Sequence, residues 1–187
     1  MRRMSIAEEV LAIFERRGSV TYFGERVSMT EHALQAAWFA REERAPPALV
    51  LAALLHDIGH LVHDVPDDIT DWTRDDRHEE TGAHWIAQRF PLEISEPVRL
   101  HVPAKRYLCA TDSKYVAMLS QASVVTLKLQ GGPMGYEELL QFETQSFGQE
   151  AVRVRRWDDQ GKVAGLKTPR LAEYRGLIEE FGLPKHR

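Results

Sequence analysis

The chain has 187 residues, 43% of them hydrophobic and 28% charged, with a formal net charge of −4. This length suits a single domain spanning 1–187 that buries roughly two-thirds of its unfolded surface without staples, so a bound metal would serve function more than folding. The composition excludes a disordered chain, the lack of any run of ~20 apolar residues excludes a membrane span, and the acidic balance offers nothing to nucleic-acid phosphates. A small-molecule substrate therefore fits better than a polymer, and the oligomeric state is left open. The start of the chain has the charges of an amphipathic helix and no apolar signal core, which reads as cytoplasmic. Cys109 is the only cysteine, so an intramolecular disulfide and a thiolate-rich zinc site are both excluded, and any metal must sit on histidine and carboxylate.

Ile6, Val10, Ile13 and Phe14 recur at helical spacing ahead of Gly18, which predicts a first helix over about residues 5–17. Residues from Thr21 to Met29 read as a loop, and an Ala-, Leu- and Glu-rich segment predicts a second helix over about 30–43, closed by Pro46-Pro47. Pro47 can open a third, and the apolar run Ala48 to Leu55 is a buried helix or a buried strand, with its Ala-Leu content favouring helix. An acidic loop with Pro66 is expected over about 62–76, either a lid or a solvated connection. Further helices are expected at about 77–89, 94–103, 112–128, 136–147 and 169–181, with Gly131-Gly132-Pro133 and Gly161 as breaks. The fold class is all-α.

The adjacent pair His56-Asp57 ends the most apolar helix, where two ionisable groups are costly unless something satisfies them. A metal would do so, since imidazole and carboxylate together suit iron, manganese or zinc. The structural alternative makes Asp57 a helix cap and His56 a hydrogen-bonded core residue. His32 lies on the preceding predicted helix, His78 opens the next, His101 ends the one after, and Asp158 follows Trp157. One ligand per helix is how bundle cores build metal sites. Four imidazoles and two carboxylates exceed one tetrahedral ion and suit two ions sharing a bridging carboxylate.

With these residues the chain resembles the HD-domain superfamily of metal-dependent phosphohydrolases and oxygenases, whose pattern His32, His56-Asp57 and Asp158 would meet. His78 and His101 resemble the extra ligands of its dinuclear branch. Within that branch the chain is similar to the mixed-valent diiron oxygenases that cleave carbon–phosphorus bonds in 1-hydroxyalkylphosphonates, typified by 2-amino-1-hydroxyethylphosphonate dioxygenase, together with their trimethylammonio-phosphonate relatives. The motifs that carry this are Tyr22-x-x-Glu25, Glu31-His32, Leu51-Ala-Ala-Leu-Leu-His-Asp-Ile-Gly-His60, His101-Val-Pro-Ala-Lys-Arg-Tyr-Leu108, Gln130-Gly-Gly-Pro-Met134 and Arg155-x-Trp157-Asp158, spread from Tyr22 to Tyr174.

The resemblance implies an HD-domain helical bundle holding two iron ions, Fe(II)/Fe(III), with O2 as co-substrate. His32, His56, Asp57 and Asp158 would hold one ion and Asp57, His78 and His101 the other, with Asp57 bridging. Tyr22 would occupy the second ion until substrate arrives, and Glu25 would meet the substrate amine. His60, Lys105, Ser123, Thr126 and Arg155 match positions around the phosphonate. Arginine supplies bidentate geometry and lysine a point charge for such a dianion, and Ser123 and Thr126 stand three apart on a predicted helix. Read without the resemblance, Lys105 is a solvated helix-end charge, Ser123 and Thr126 bond to their own helix, Arg155 shares a surface basic run, and Tyr22 is a half-buried aromatic.

Val62 to Arg77 departs from the family pattern, being rich in Asp and containing Trp72. Such a setting suits a quaternary ammonium, which tilts the reading towards a trimethylammonio substrate giving betaine and phosphate, with the primary amine giving glycine as the other choice. Two rival functions stand beside the oxygenase: an HD-type phosphohydrolase using a metal-bound hydroxide, and a non-catalytic sensor of a small phosphoryl ligand.

Overall fold

A computed structural model describes residues 4–62 and 77–184. The expected acidic loop with Trp72, and also His63 and His186, lie outside the described residues. Along the chain run α1 (Ile6–Arg17), α2 (Met29–Glu42), α3 (Pro47–Leu55), α4 (Gly59–Val62), α5 (His78–Ala87) and α6 (Leu92–Thr111). Then follow α7 (Ser113–Met118), α8 (Gln121–Leu129), α9 (Tyr136–Glu143), α10 (Gly148–Gln160), a 3₁₀ turn (Leu171–Tyr174) and α11 (Arg175–Phe181). Among the described residues the only β-type pairing is an isolated bridge between Thr21 and Ser28, so the all-α expectation holds. No described helix is long and apolar enough to cross a membrane.

The apolar run after Pro47 is a helix, and every residue from Leu49 to Leu55 is buried. A helix that is hydrophobic all round belongs in the middle of a core, and α3 is sheathed by α2, α6, α10 and α11. Two Ser/Glu capping boxes set where helices begin: Ser5 with Glu8 opens α1, and Ser28 with Glu31 opens α2, placing His32 in the first turn.

Four helical boundaries differ from the sequence expectation. Helix α6 runs on through Pro97 and Pro103 to Thr111 instead of stopping near 103. Interior prolines cost about 3 kcal/mol each; the buried Ile94, Val98, Leu100, Val102, Ala104 and Leu108 along α6 outweigh that loss. The expected helix over 112–128 is two, because Leu119 adopts an extended ψ of 135° and Asp112 and Ser120 cap separate starts. Helix α9 ends at Glu143, short of 147, and only Leu171 onward of the last expected helix is helical. Helix α10 was not among the sequence expectations. Its buried residues are Gly148, Ala151, Val154, Arg155, Trp157 and Asp158, of helical period but with two of the six charged.

Gly59 and Gly82 let α4 and α5 touch backbone to backbone. A Cβ on Gly59 would lie 2.0 Å from the His78 carbonyl oxygen, which has nowhere to move without carrying His78 with it. We expect Gly59→Ala to cost about 1–3 kcal/mol, the usual penalty for overpacking a tight contact. Urea unfolding would register it as a lowered midpoint at unchanged m-value; an unshifted midpoint would show that the two helices can part freely.

Candidate metal centre

Helix α3 gives way at its end to a tightened turn, with Ile58 N–H donating to Leu55 O at 3.0 Å and His60 N–H to Asp57 O at 3.1 Å. His56 and Asp57 occupy this i→i+3 stretch, a geometry often found at functional positions. His32 enters from α2, His78 from the first turn of α5, His101 from mid-α6 and Asp158 from α10. All six side chains are buried.

They form two groups that share Asp57. In the first, His32 Nε2 lies 3.0 Å from His56 Nε2, 3.4 Å from Asp57 Oδ2 and 3.4 Å from Asp158 Oδ1. His56 Nε2 is 3.4 Å from Asp57 Oδ2 and 3.9 Å from Asp158 Oδ1. In the second, Asp57 Oδ1 is 3.3 Å from His78 Nε2 and 3.5 Å from His101 Nε2, and these two nitrogens are 3.2 Å apart. For metal–ligand bonds of about 2.1 Å, neighbouring ligand atoms stand about 3.0 Å apart in an octahedron and about 3.4 Å in a tetrahedron. Each carboxylate oxygen of Asp57 thus faces its own set of imidazole nitrogens at coordination spacing.

The outer nitrogens decide the tautomer of each neutral ring. His32 Nδ1–H donates to Gly161 O at 2.9 Å and His56 Nδ1–H to Ala53 O at 2.8 Å. A carbonyl only accepts, so in the neutral rings both Nε2 atoms carry lone pairs, and two lone pairs 3.0 Å apart cannot hydrogen-bond. A cation between them turns this repulsion into coordination, with the carbonyls orienting the rings from behind. His101 is held the same way by Val98 O at 2.6 Å. Burial pushes its imidazole down to about 4, leaving it neutral and ready to ligate near neutral pH. Asp57 Oδ2 has no hydrogen-bond partner despite its burial, as expected of a group whose partner is an ion. Burial works to raise the Asp57 carboxyl, yet the surrounding histidines hold it well below the usual range. Asp158 is likewise lowered, because Arg155 and Lys162 outweigh its burial. The donor set fits divalent or trivalent ions bound by nitrogen and oxygen.

Beside the first group, α6, α8, α10 and Lys162 just after it bring together a cluster of cationic side chains and hydroxyls. Lys105 is 2% exposed, and its Nζ donates to Thr126 Oγ1 at 2.9 Å. Ser123 Oγ accepts from Lys162 Nζ at 3.0 Å and from Arg155 Nη2 at 3.4 Å. Burial and the Arg155 charge push the Lys105 ammonium down to about 7. Arg155 was expected to offer a free fork, but its Nε and Nη2 both bond the Asp159 carboxylate and its Nη1 lies 2.7 Å from Asp158 Oδ2. Its first task is to hold a proposed metal ligand and that ligand's neighbour.

Tyr22 stacks on His32 with ring centroids 3.8 Å apart, and its hydroxyl donates to Asp158 Oδ1 at 3.4 Å. It therefore stands with the first group, whereas the resemblance implies a place at the second ion. Glu25 is half-buried on the same turn, whose chain bends through positive φ at Phe23 (39°) and Gly24 (74°) and closes with Glu25 N–H on Tyr22 O at 2.7 Å. His60 stacks on His78 at 4.0 Å, next to the second group and outside both ligand sets. Sequence reasoning missed Lys162, Tyr115 and Asp159. Tyr115 donates to Asp159 Oδ2 at 2.5 Å, and the sequence signal for Asp159 was its position four residues beyond Arg155, the spacing of a helical ion pair.

This geometry can now be set beside known proteins. Over 186 residues, 100% of this chain and 94% of the relative, the sequence is 42% identical to the [1-hydroxy-2-(trimethylamino)ethyl]phosphonate dioxygenase (glycine-betaine-forming) of Leisingera caerulea. It is 43% identical over 175 residues to the hydroxymethylphosphonate dioxygenase of Gimesia maris, covering 92% of this chain and 87% of that one. Residues 29–125, which include His32, His56, Asp57, His78 and His101, match the HD domain, and the chain belongs to the HD-domain family.

Proposed function

We propose that this chain is an iron- and O2-dependent oxygenase that cleaves the carbon–phosphorus bond of a 1-hydroxyalkylphosphonate, releasing phosphate and a carboxylate. The observation that carries the reading is the Asp57 carboxylate facing two histidine groups, with the buried Lys105 and Arg155 and their hydroxyl partners on the Asp158 side. The names of the two relatives supply the reaction class. His32, His56, Asp57 and Asp158 would hold one iron and Asp57, His78 and His101 the other. Iron bound there would supply the activation of O2 and the redox chemistry.

The protein's own residues bind and orient. Lys105, with Thr126, receives phosphonate oxygens, and arrival of a dianion favours the protonated ammonium over the neutral amine, which strengthens the ion pair. Ser123 adds a hydroxyl, and Arg155 fixes Asp158. Tyr22 covers the Asp158 side of the centre and must yield its hydroxyl contact as substrate oxygens approach. His60 buttresses the His78 ring, which keeps the second group in place. Glu25, on the Tyr22 turn, would meet the cationic end of a 1-hydroxy-2-(trimethylammonio)ethylphosphonate or its primary-amine counterpart, yielding betaine or glycine. Holding the C1 hydrogen towards the centre is worth more than any single contact, because orientation removes entropy from the barrier.

Asp57 is the shared ligand, so Asp57→Asn should reduce iron in the purified protein from two ions per chain to at most one, as read by elemental analysis. Two ions retained with asparagine in place would remove Asp57 from the bridge.

Phosphate release from a 1-hydroxyalkylphosphonate should stop under anaerobic conditions and return with air. Continued release without O2 would favour the HD-type hydrolase instead.

If Glu25 reads the cationic end, Glu25→Gln should weaken aminated substrates by about 1–3 kcal/mol, roughly 5- to 150-fold in affinity, and spare hydroxymethylphosphonate. Equal loss for both substrates would place Glu25 in support of the turn that carries Tyr22.

A further inference from the structure

We propose that Lys162 is a substrate-binding residue, the second ammonium of the anion pocket, an inference that rests on the phosphonate reading given above. Lys162 comes directly after Gly161, where α10 ends. Its Nζ donates to Ser123 Oγ at 3.0 Å, lies 3.5 Å from Asp159 Oδ1 and 4.0 Å from Asp158 Oδ1, and its side chain is only 10% exposed. On the other side it approaches Tyr22, with Nζ 5.8 Å from the ring centroid. The ammonium is thus held between the tyrosine that covers the centre and the hydroxyl at the pocket wall.

The pocket has an internal symmetry that points to this role. Ser123 and Thr126 stand one turn apart on α8, and each accepts from one lysine, Lys162 for the first and Lys105 for the second. The two lysines come from different elements and converge on one helix face. An ammonium has three N–H donors, so both can turn a donor to an anion seated between them while keeping the hydroxyl as a hinge.

The charges of the neighbouring side chains also favour Lys162. Asp158 and Asp159 bring two negative charges to the pocket wall, and Arg155 bonds both of them. Lys105, deeply buried next to Arg155, is only partly charged near neutral pH until an anion arrives. Without Lys162 these groups offer an incoming anion no positive surplus. Nor is Lys162 needed to satisfy Asp159, whose oxygens already accept from the Arg155 fork and from the Tyr115 hydroxyl.

The test uses inorganic phosphate as the probe, titrated calorimetrically into the iron-loaded protein, with turnover of hydroxymethylphosphonate measured in parallel. Lys162→Gln should weaken phosphate binding roughly 10- to 100-fold, as expected for loss of a charge-assisted contact in a sheltered site. It should raise KM more than it lowers kcat, because the ammonium holds the anion before and during reaction alike. Iron content should stay at the parent level. Lys162→Arg, which keeps the charge, should bind phosphate more nearly like the parent than the glutamine variant does, and Lys167→Gln, on the exposed loop beyond, should bind like the parent. Unchanged phosphate affinity in Lys162→Gln would overturn the inference and leave the oxygenase reading standing. Loss of iron in both Lys162 variants would overturn it too, by making the lysine a support of Asp158. A parent protein that neither binds phosphate nor turns over the phosphonate would overturn both readings together.

Discussion

The structure depends on one electrostatic constraint: two carboxylates and four imidazoles are buried so closely that their lone pairs face each other. Asp57 and Asp158 both come within 3.4 Å of the same His32 nitrogen, and that nitrogen is 3.0 Å from His56 Nε2. Removing such groups from water costs several kcal/mol each unless positive charge is close. Arg155 and Lys162 supply part of it from the Asp158 side. No lysine or arginine makes a described ion pair with Asp57; its charge is faced by His32, His56, His78 and His101, a donor set compatible with a metal site. The carbonyls of Ala53, Val98 and Gly161 then act as fixed anchors that set which ring nitrogen stays bare.

Holding six ligands to coordination spacing demands a frame that does not yield. Helix α3 provides it by being apolar on every side and locked among its neighbours, so the turn at its end has a fixed origin. The two glycines at the α4–α5 crossing bring His78 in at backbone distance, closer than any side chain would permit. Gly161 does the same for His32, since a Cβ there would stand 3.1 Å from the ring nitrogen that its own carbonyl engages. Small residues at these crossings therefore set the spacing of the site, although none of them can touch a ligand.

How much of this was legible in the sequence follows from which residues carry each signal. The candidate ligands could be picked out because histidine and aspartate at the end of an apolar helix are conspicuous, and the fold brings the one candidate per helix together. Helix α10 escaped notice because it carries few apolar residues, and two of its inward positions hold Arg155 and Asp158 beside Ala151, Val154 and Trp157. The same charged residues that make the helix functional hide it. Helix α6 was cut short by the ordinary rule for proline, a rule about isolated backbone that tertiary burial overrides. Lys162 carries no local signature at all; only the fold brings it to Ser123, thirty-nine residues earlier in the chain.

Arg155 shows why the residue type alone does not settle a role. A planar fork beside a phosphonate site invites assignment as the anion clamp, yet here the fork is closed on Asp159 and its remaining edge leans on Asp158. Breaking a buried pair by removing one partner leaves an uncompensated charge, at a cost of about 3–5 kcal/mol. Arg155 is therefore poorly placed to leave its carboxylates for a transient ligand. The ammonium groups are held more loosely, on hydroxyls that can rotate and go on accepting while the lysine turns, with Lys162 3.5 Å and 4.0 Å from its two carboxylates. Permanent charge pairing thus falls to the arginine, and the proposed reversible capture of an anion to the two lysines that converge on one face of α8.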